Sequence, residues 1–501
     1  MHATLADLRE DLADLQSIAE SSGGQVWRHK ARLDRTAEHY RPETHAFLSR
    51  QANDLWSEYQ DLARRIQTAL GETAAWTDAD VPRLTDLKHT AADLLRSFQA
   101  NLAFVLSAGD WQSPTFLHSL VPQAGAQVGR IVGTQNDYKR DGHLDADAYE
   151  KAFRKEYIDG MTLFPPEVCL TSSGMAAFAT LVSFLQSEGV RGPILVGSAS
   201  YFENKVVLRK AFPGQIVYVD ESDADAVVAA AKRLQPQAVF LDTICNFATL
   251  ALPDMATLVP RLLSTLSRKA YLVIDNAGMA ATCQPLSWLP AIGIHARLFV
   301  VESLNKYYQL GFDRVTAGVV WTTGGLAPCG IRQARINLGT NIPDASVLAL
   351  PEPNRRLLER RLGRMGRNAQ RLAETLEAYL AEHPKTAVKG VVYPGLPKHP
   401  SAKWSKSRRF NGSFLALAFK PGCQDVPTYK KFVDRAIEKA RRGGVDLVSG
   451  TSFGFDVTRV YLTTIHYTSV TKPFVRISVG TETAAELDAV ARVLISAIES
   501  V

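Results

Sequence analysis

Leu5, Leu8, Leu12, Leu15 and Ile18 recur at three- and four-residue intervals, as do Leu55, Tyr59, Leu62, Ile66 and Leu70. Each set predicts one apolar stripe along an amphipathic helix. Residues 74–81 and Pro82 interrupt the pattern before a third helical run over 84–105. Residues 1–110 therefore read as a helical extension, a scaffold or oligomerisation element. After about residue 130 the pattern changes. Short apolar runs without alternation, at 194–196, 216–219, 238–241, 272–274 and 298–301, are separated by helical stretches. Such runs fit strands covered on both faces, which predicts an α/β fold over 111–345: a mostly parallel sheet with helices on both sides. Ligands of such sheets bind at the carboxyl ends of the strands. A long helix around 355–371, a strand at 413–419 and helices at 429–442 and 482–498 predict a smaller α+β domain over 346–501 that closes over the site.

Composition narrows the class. The 501 residues are 46% hydrophobic and 22% charged, enough to bury large cores in two or three domains. The net charge of +6 is the difference between 57 basic and 51 acidic residues and does not by itself suggest a nucleic-acid partner. The arginines of 355–371 alternate with Leu357, Leu358, Leu362 and Met365, so they read as the solvated face of a long interdomain helix. Five scattered cysteines without metal spacing argue for a reducing compartment and against a zinc site or disulfide framework. Asp7, Glu10, Asp11 and Asp14 stand where a signal peptide needs an apolar core, and no long uncharged segment follows, so a cytoplasmic protein with no membrane partner is expected.

Three segments carry candidate chemistry. The apolar run 299–301 leads into Ser303-Leu304-Asn305-Lys306, and a lysine enclosed at a strand end can form a Schiff base with an aldehyde cofactor, its pKa lowered by burial and nearby cations. Thr171-Ser172-Ser173-Gly174-Met175-Ala176-Ala177 follows the apolar 168–170 and opens the helical run 178–185, which would aim the N–H groups of Gly174 and Met175 at a phosphate. Standing alone it would read as an ordinary N-cap. The run 271–274 ends in Asp275, placed to hold a pyridine nitrogen protonated.

In order along residues 130–501, these segments resemble the cysteine and methionine metabolism family of pyridoxal-phosphate enzymes, the group of cystathionine gamma-synthase, the cystathionine lyases and methionine gamma-lyase. The resemblance implies fold type I, the aspartate aminotransferase type with a seven-stranded sheet, and pyridoxal 5′-phosphate as cofactor. Ser173 to Ala177 is similar to the family's phosphate loop, Tyr201 to its ring-stacking tyrosine, and Asn246 to the asparagine that touches the pyridoxal hydroxyl. Asp275-Asn276-Ala277 and Ser303-Leu304-Asn305-Lys306-Tyr307 are similar to its strand-end aspartate and lysine motifs. Tyr393 to Pro400, Ser452-Phe453-Gly454 with Thr458, and Val475 to Glu482 resemble its C-terminal motifs. In the last, Arg476 would grip the substrate α-carboxylate, for which a planar guanidinium suits both oxygens. Tyr138 and Arg140 resemble the pair that crosses a dimer interface to the neighbouring phosphate, implying a homodimer or homotetramer with shared sites.

The implied activity is elimination or replacement at Cβ or Cγ of an amino acid, with Lys306, Tyr201 and Asp275 as the catalytic set. Departures from the family pattern implicate the substrate pocket: Phe202 follows the tyrosine in place of glycine, Asn305 replaces threonine, and Arg459 replaces an apolar residue after Thr458. They are consistent with a specialised γ-substitution, with an activated methionine derivative such as S-adenosylmethionine as a candidate reactant and a second, nucleophilic substrate. An aminotransferase on the same fold is the alternative. A third reading, a cofactor-binding regulator, would need a DNA-binding pattern before residue 110, and none is recognisable.

Overall fold

The computed structural model describes residues 2–35, 37–108, 144–160, 165–289, 297–323, 330–463 and 472–501. Helices α1 (His2–Arg35), α2 (Pro42–Gly71) and α3 (Val81–Ala108) pack on one another. Leu8, Leu12, Leu15 and Ile18 of the first apolar stripe and Leu55, Tyr59, Leu62 and Ile66 of the second are buried between them, with Tyr59 edge-on to Phe98 at 5.2 Å. Burying each large apolar side chain contributes about 1.5–3 kcal/mol, more than the roughly 0–1 kcal/mol of an exposed ion pair, so the stripes hold the three helices together.

Helix α4 (Leu144–Tyr157) leads into the large sheet. Its elements are β1 (Glu167–Thr171), α5 (Gly174–Ser187), β2 (Ile194–Gly197), α6 (Phe202–Ala211), β3 (Ile216–Val219), α7 (Ala224–Leu234), β4 (Ala238–Asp242), α8 (Met255–Leu263), β5 (Tyr271–Asp275), β6 (Arg297–Ser303) and β7 (Gly318–Thr322). The strand order is β1-β7-β6-β5-β4-β2-β3; β7 runs antiparallel to both neighbours and the other pairings are parallel. Successive residues feed opposite cores. Phe240, Val273 and Phe299 pack with Phe178 and Phe184 of α5, whereas Val239, Leu272 and Leu298 pack with Val227 of α7 and Leu258 of α8. That two-sided burial is why these strands are apolar without alternation.

After α9 (Ile331–Leu338) and α10 (Asp344–Ala349), the 28-residue α11 (Arg355–Glu382) crosses to the C-terminal part. There β8 (Val388–Val392), β9 (Phe414–Phe419), α12 (Val426–Gly443), β10 (Val448–Ser449), β11 (Arg459–Thr463), β12 (Phe474–Ser478) and α13 (Ala484–Ile498) form an α+β unit. Its sheet has the order β10-β11-β12-β9-β8.

One expectation fails in part: Arg356, Arg367 and Arg371 of α11 are exposed, but the arginines that face the extension are not a solvated face. Arg361 and Arg364 are buried, and Arg364 pairs with Asp7 at 2.5 Å, Glu10 at 3.0 Å and Asp11 at 3.5 Å. Arg360 pairs with Asp14 at 2.5 Å. The cause is the extension itself, whose acidic face covers α11; the apolar period of α11 alone carries no information about a partner so distant in sequence. Lys88 of α3 bridges Asp11 (3.1 Å) and Glu486 (2.9 Å). The Ala484 N–H donates to Asp7 at 2.8 Å, a carboxylate set at the N-terminus of α13.

Candidate active site

The carboxyl ends of β4, β5 and β6 and the N-terminus of α5 meet the C-terminal unit around a cavity of about 560 Å³. Lys306 enters it three residues beyond β6. Its Nζ donates to Ser452 Oγ at 2.7 Å and lies 4.8 Å from the centre of the Phe453 ring. Burial, helped by the Arg476 guanidinium and opposed by Asp275, lowers its pKa to about 8. A lysine there is an available nucleophile and base near neutral pH.

Asp275 ends β5 beside Asp242, its register partner at the end of β4. It accepts from the Ala277 N–H at 3.0 Å and from the Asn204 amide at 2.9 Å. Burial raises its pKa, while those two donors and Lys306 oppose the rise. Burial also raises Asp242 well above the ordinary carboxylate value, and the Asp275 and Glu221 carboxylates push it further. Asp242 accepts from the Tyr201 N–H at 2.9 Å and so fixes the start of α6. The Tyr201 hydroxyl donates to Glu203 at 2.8 Å.

Ser173 caps α5, its Oγ accepting from the Ala176 N–H at 2.9 Å. The N–H groups of Gly174 and Met175 begin the helix and have no acceptor within it. Gly174 is required by contact: a Cβ there would lie 2.7 Å from Ser303 Cβ. Asn305 accepts from the Ala317 N–H at 2.7 Å and holds the turn that aims Lys306.

Across the cavity, Arg476 on β12 is buried; it donates to Asn246 at 2.9 Å and to the Ser452 carbonyl at 3.0 Å. Its Nε has no partner, and among the described residues no carboxylate lies within ion-pair distance. Burial lowers its pKa to about 10. An arginine so placed is short of an anion. Arg459 also lines the cavity, its guanidinium 3.4 Å from the centre of the Phe455 ring and donating to the Thr451 carbonyl at 3.1 Å.

The residues singled out in sequence thus converge on one cavity, with two exceptions. Thr458 is buried behind the wall, where its N–H donates to Glu482. Tyr138 and Arg140 lie outside the described residues. The cavity adds Glu203, Asn204, Asp242 and Asp313, which sequence reading missed. Asp242 had a signal, an acid ending an apolar run as Asp275 does. Among the described residues, no cluster of His, Cys, Asp or Glu is arranged to hold a metal ion.

These groups fit pyridoxal 5′-phosphate. A helix N-terminus without a Cβ at Gly174 suits the phosphate, Asp275 suits a protonated ring nitrogen, and Lys306 suits the aldehyde.

The sequence model of the family described as Cys/Met metabolism PLP-dependent enzyme matches residues 111–490. A bifunctional enzyme of Aspergillus flavus, flvA, is 28% identical over 341 residues, 67% of this chain and 39% of that protein. A chloroplastic cystathionine gamma-synthase of Arabidopsis thaliana is 28% identical over 267 residues, 52% of this chain and 43% of its own. The chain therefore spans about two fifths of the length of these two relatives. In fold it is similar to the cystathionine gamma synthase of Xanthomonas oryzae crystallised with cystathionine, at a TM-score of 0.57 and 20% identity over 74% of this chain and 89% of that one. The family match takes in the large sheet and nearly all of the C-terminal unit, leaves α1 to α3 outside it, and shows that the chain belongs to the Cys/Met metabolism family of PLP-dependent enzymes.

Proposed function

We propose that the protein is a lyase or transferase that eliminates or replaces a substituent at Cβ or Cγ of an amino acid, with γ-replacement the favoured reaction. The observation that carries this reading is Arg476, a buried guanidinium with no carboxylate partner among the described residues, set on the same cavity as Lys306. Its two-pronged donor geometry suits an α-carboxylate, and binding there delivers the amino group and Cα of the substrate toward Lys306. When bound, the cofactor supplies an electron sink for negative charge at Cα. Lys306, with a pKa near 8, accepts the Cα proton at near-neutral pH. Asp275 would hold the ring nitrogen and favour its protonated form. Tyr201, whose hydroxyl donates to Glu203, would hold the ring against the cavity wall. Phe202, Phe453 and Phe455 limit water around the reacting atoms.

The cavity lining suits a large, charged reactant. Arg459 presents a cation and Asp313 and Glu203 present carboxylates, and a cavity of about 560 Å³ has the scale of a drug-sized ligand site. An activated methionine derivative such as S-adenosylmethionine suits this lining, its sulfonium facing the carboxylates and its adenine ring stacking on the Arg459 guanidinium. By resemblance the active unit is at least a homodimer, with Tyr138 and Arg140 serving the neighbouring phosphate, in the cytoplasm.

Mass spectrometry of products from a panel of γ-substituted amino acids, S-adenosylmethionine included, with and without added nucleophiles, tests the reaction. Loss or exchange of the γ-substituent is expected. A keto acid released together with an aminated cofactor, and nothing else, would instead make the protein an aminotransferase. Borohydride reduction followed by peptide mapping should place the pyridoxyl group on Lys306; a label on another lysine overturns the assignment.

A further inference from the structure

The three N-terminal helices lie outside the family match, yet they reach the loop that closes the active site. Residues 451–459 carry Ser452, which accepts from Lys306, together with Phe453, Phe455 and Arg459 of the cavity wall. The loop runs between two other segments, and a glycine marks each close approach. A Cβ on Gly454 would lie 2.7 Å from the carbonyl carbon of Lys306, one on Gly480 would strike the Asp456 carbonyl oxygen, and one on Gly311 would strike the Asp456 carboxylate. Ser452 itself has φ +71°, a left-handed conformation that costs a non-glycine residue energy and persists only where its surroundings hold it.

What holds it from behind is Asp456. Its side chain turns away from the cofactor cavity into a second cavity of about 440 Å³ between the extension and the C-terminal unit. There its carboxylate accepts from Arg96 of α3 at 3.0 Å, from Arg361 of α11 and from the Thr481 hydroxyl at 3.4 Å. Its backbone carbonyl accepts from the Thr481 N–H at 2.9 Å. Phe455, the preceding residue, bridges to Gly311 and faces the active site, so one residue step separates the clamp from the cavity wall.

We propose that the extension sets the substrate side of the active site, with Arg96 as a positioning residue that acts through Asp456 on the loop 451–459. Arg361 anchors the carboxylate to the family core, and Arg96 adds a second cation that fixes its orientation. Without Arg96 the loop keeps its attachment but loses its single setting, and Ser452, Phe455 and Arg459 are no longer held together.

The inference rests on the reading of Lys306 as the cofactor lysine. That reading fails visibly in wild-type protein, as a pyridoxyl label elsewhere, before any Arg96 variant is made. In the holoenzyme, Arg96→Ala should raise KM for the amino-acid substrate about tenfold, the scale on which residues touching no ligand modulate a site, with kcat changed less than about threefold. The concentration of L-norleucine that half-saturates the change in the cofactor's visible band should rise in step. Arg96→Lys should recover most of the loss. Asp456→Asn should reproduce it, and the double variant Arg96→Ala/Asp456→Asn should be no worse than either single one. Arg28→Ala, which breaks the exposed 2.6 Å pair that ties the extension to Glu352, should leave KM unchanged. Wild-type KM in folded Arg96→Ala, additive single effects, or an equal loss in Arg28→Ala overturns the proposal. Should Arg96→Ala fail to fold, Arg96→Gln carries the same expectation.

Discussion

Lys306 and Ser452 lie 146 residues apart and meet at 2.7 Å, the lysine Nζ donating to the serine Oγ. The ammonium is thus buried against a hydroxyl and the Phe453 ring, and no carboxylate pairs with it among the described residues. The folded protein pays for this lysine until the cofactor takes its amine.

That cost has a sign and a pH window. The folded pKa is about 8 and the ordinary value 10.5, so between these the unfolded chain binds more protons than the folded one and this group makes stability rise with pH. Below pH 8 the penalty is full, on the order of 3 kcal/mol from the size of the shift. In cofactor-free protein, Lys306→Met should therefore raise the urea midpoint at pH 7, and the advantage should shrink toward pH 10. Equal midpoints at pH 7 would mean that Lys306 is solvated.

Gly174→Ala places a methyl group 2.7 Å from Ser303 Cβ, at the step where α5 approaches the lysine turn. The start of the helix must shift by a few tenths of an ångström, and phosphate contacts depend on such positions. Cofactor affinity should fall about tenfold or more in a titration of the apoprotein, roughly 1.4 kcal/mol, together with a lower melting temperature of the apoprotein. Unchanged affinity would place the phosphate elsewhere.

Much of this site was legible because its residues end apolar strands. Asp275 and Lys306 follow runs whose two-sided burial the sequence states directly, and Arg476 is a charge alternating with apolar residues on β12. Thr458 was misplaced for a geometric reason: adjacent residues of an extended chain face opposite ways, so with Arg459 on the cavity Thr458 turns inward. Glu203 and Asn204 sit in the first turn of α6 and Asp313 in a loop, places where no period announces which side chain turns to the cavity. The pairing of Arg360 and Arg364 escaped because their partners, Asp7 to Asp14, lie some 350 residues upstream.

Arg364→Leu tests that pairing. It leaves Asp7, Glu10 and Asp11 without their shared cation in a buried interface, and breaking such a pair from one side costs about 3–5 kcal/mol. Thermal unfolding should show a loss of that size, or a separate early transition from release of α1 to α3. A change below about 1 kcal/mol would mark the cluster as solvated.

Arg459→Ala should weaken binding of the distal or second reactant, while the cofactor spectrum and the exchange of the Cα proton with solvent stay as in wild type. The separation follows from place: Arg459 packs on Phe455, whereas Lys306 is held by Ser452. Unchanged kinetics for both reactants would remove Arg459 from substrate recognition.

The bond from the Ala484 N–H to Asp7 joins positions 477 residues apart. The first helix carries its acidic face complete while its partners lie on α11 and α13, so the extension can assemble its apolar interior by itself but docks only once those two helices are made. Closing so long a loop is slow. Folding of this chain should accordingly include a late docking step, and its salt sensitivity should be greatest there, where Asp7 to Asp14 meet the arginines of α11 and the start of α13.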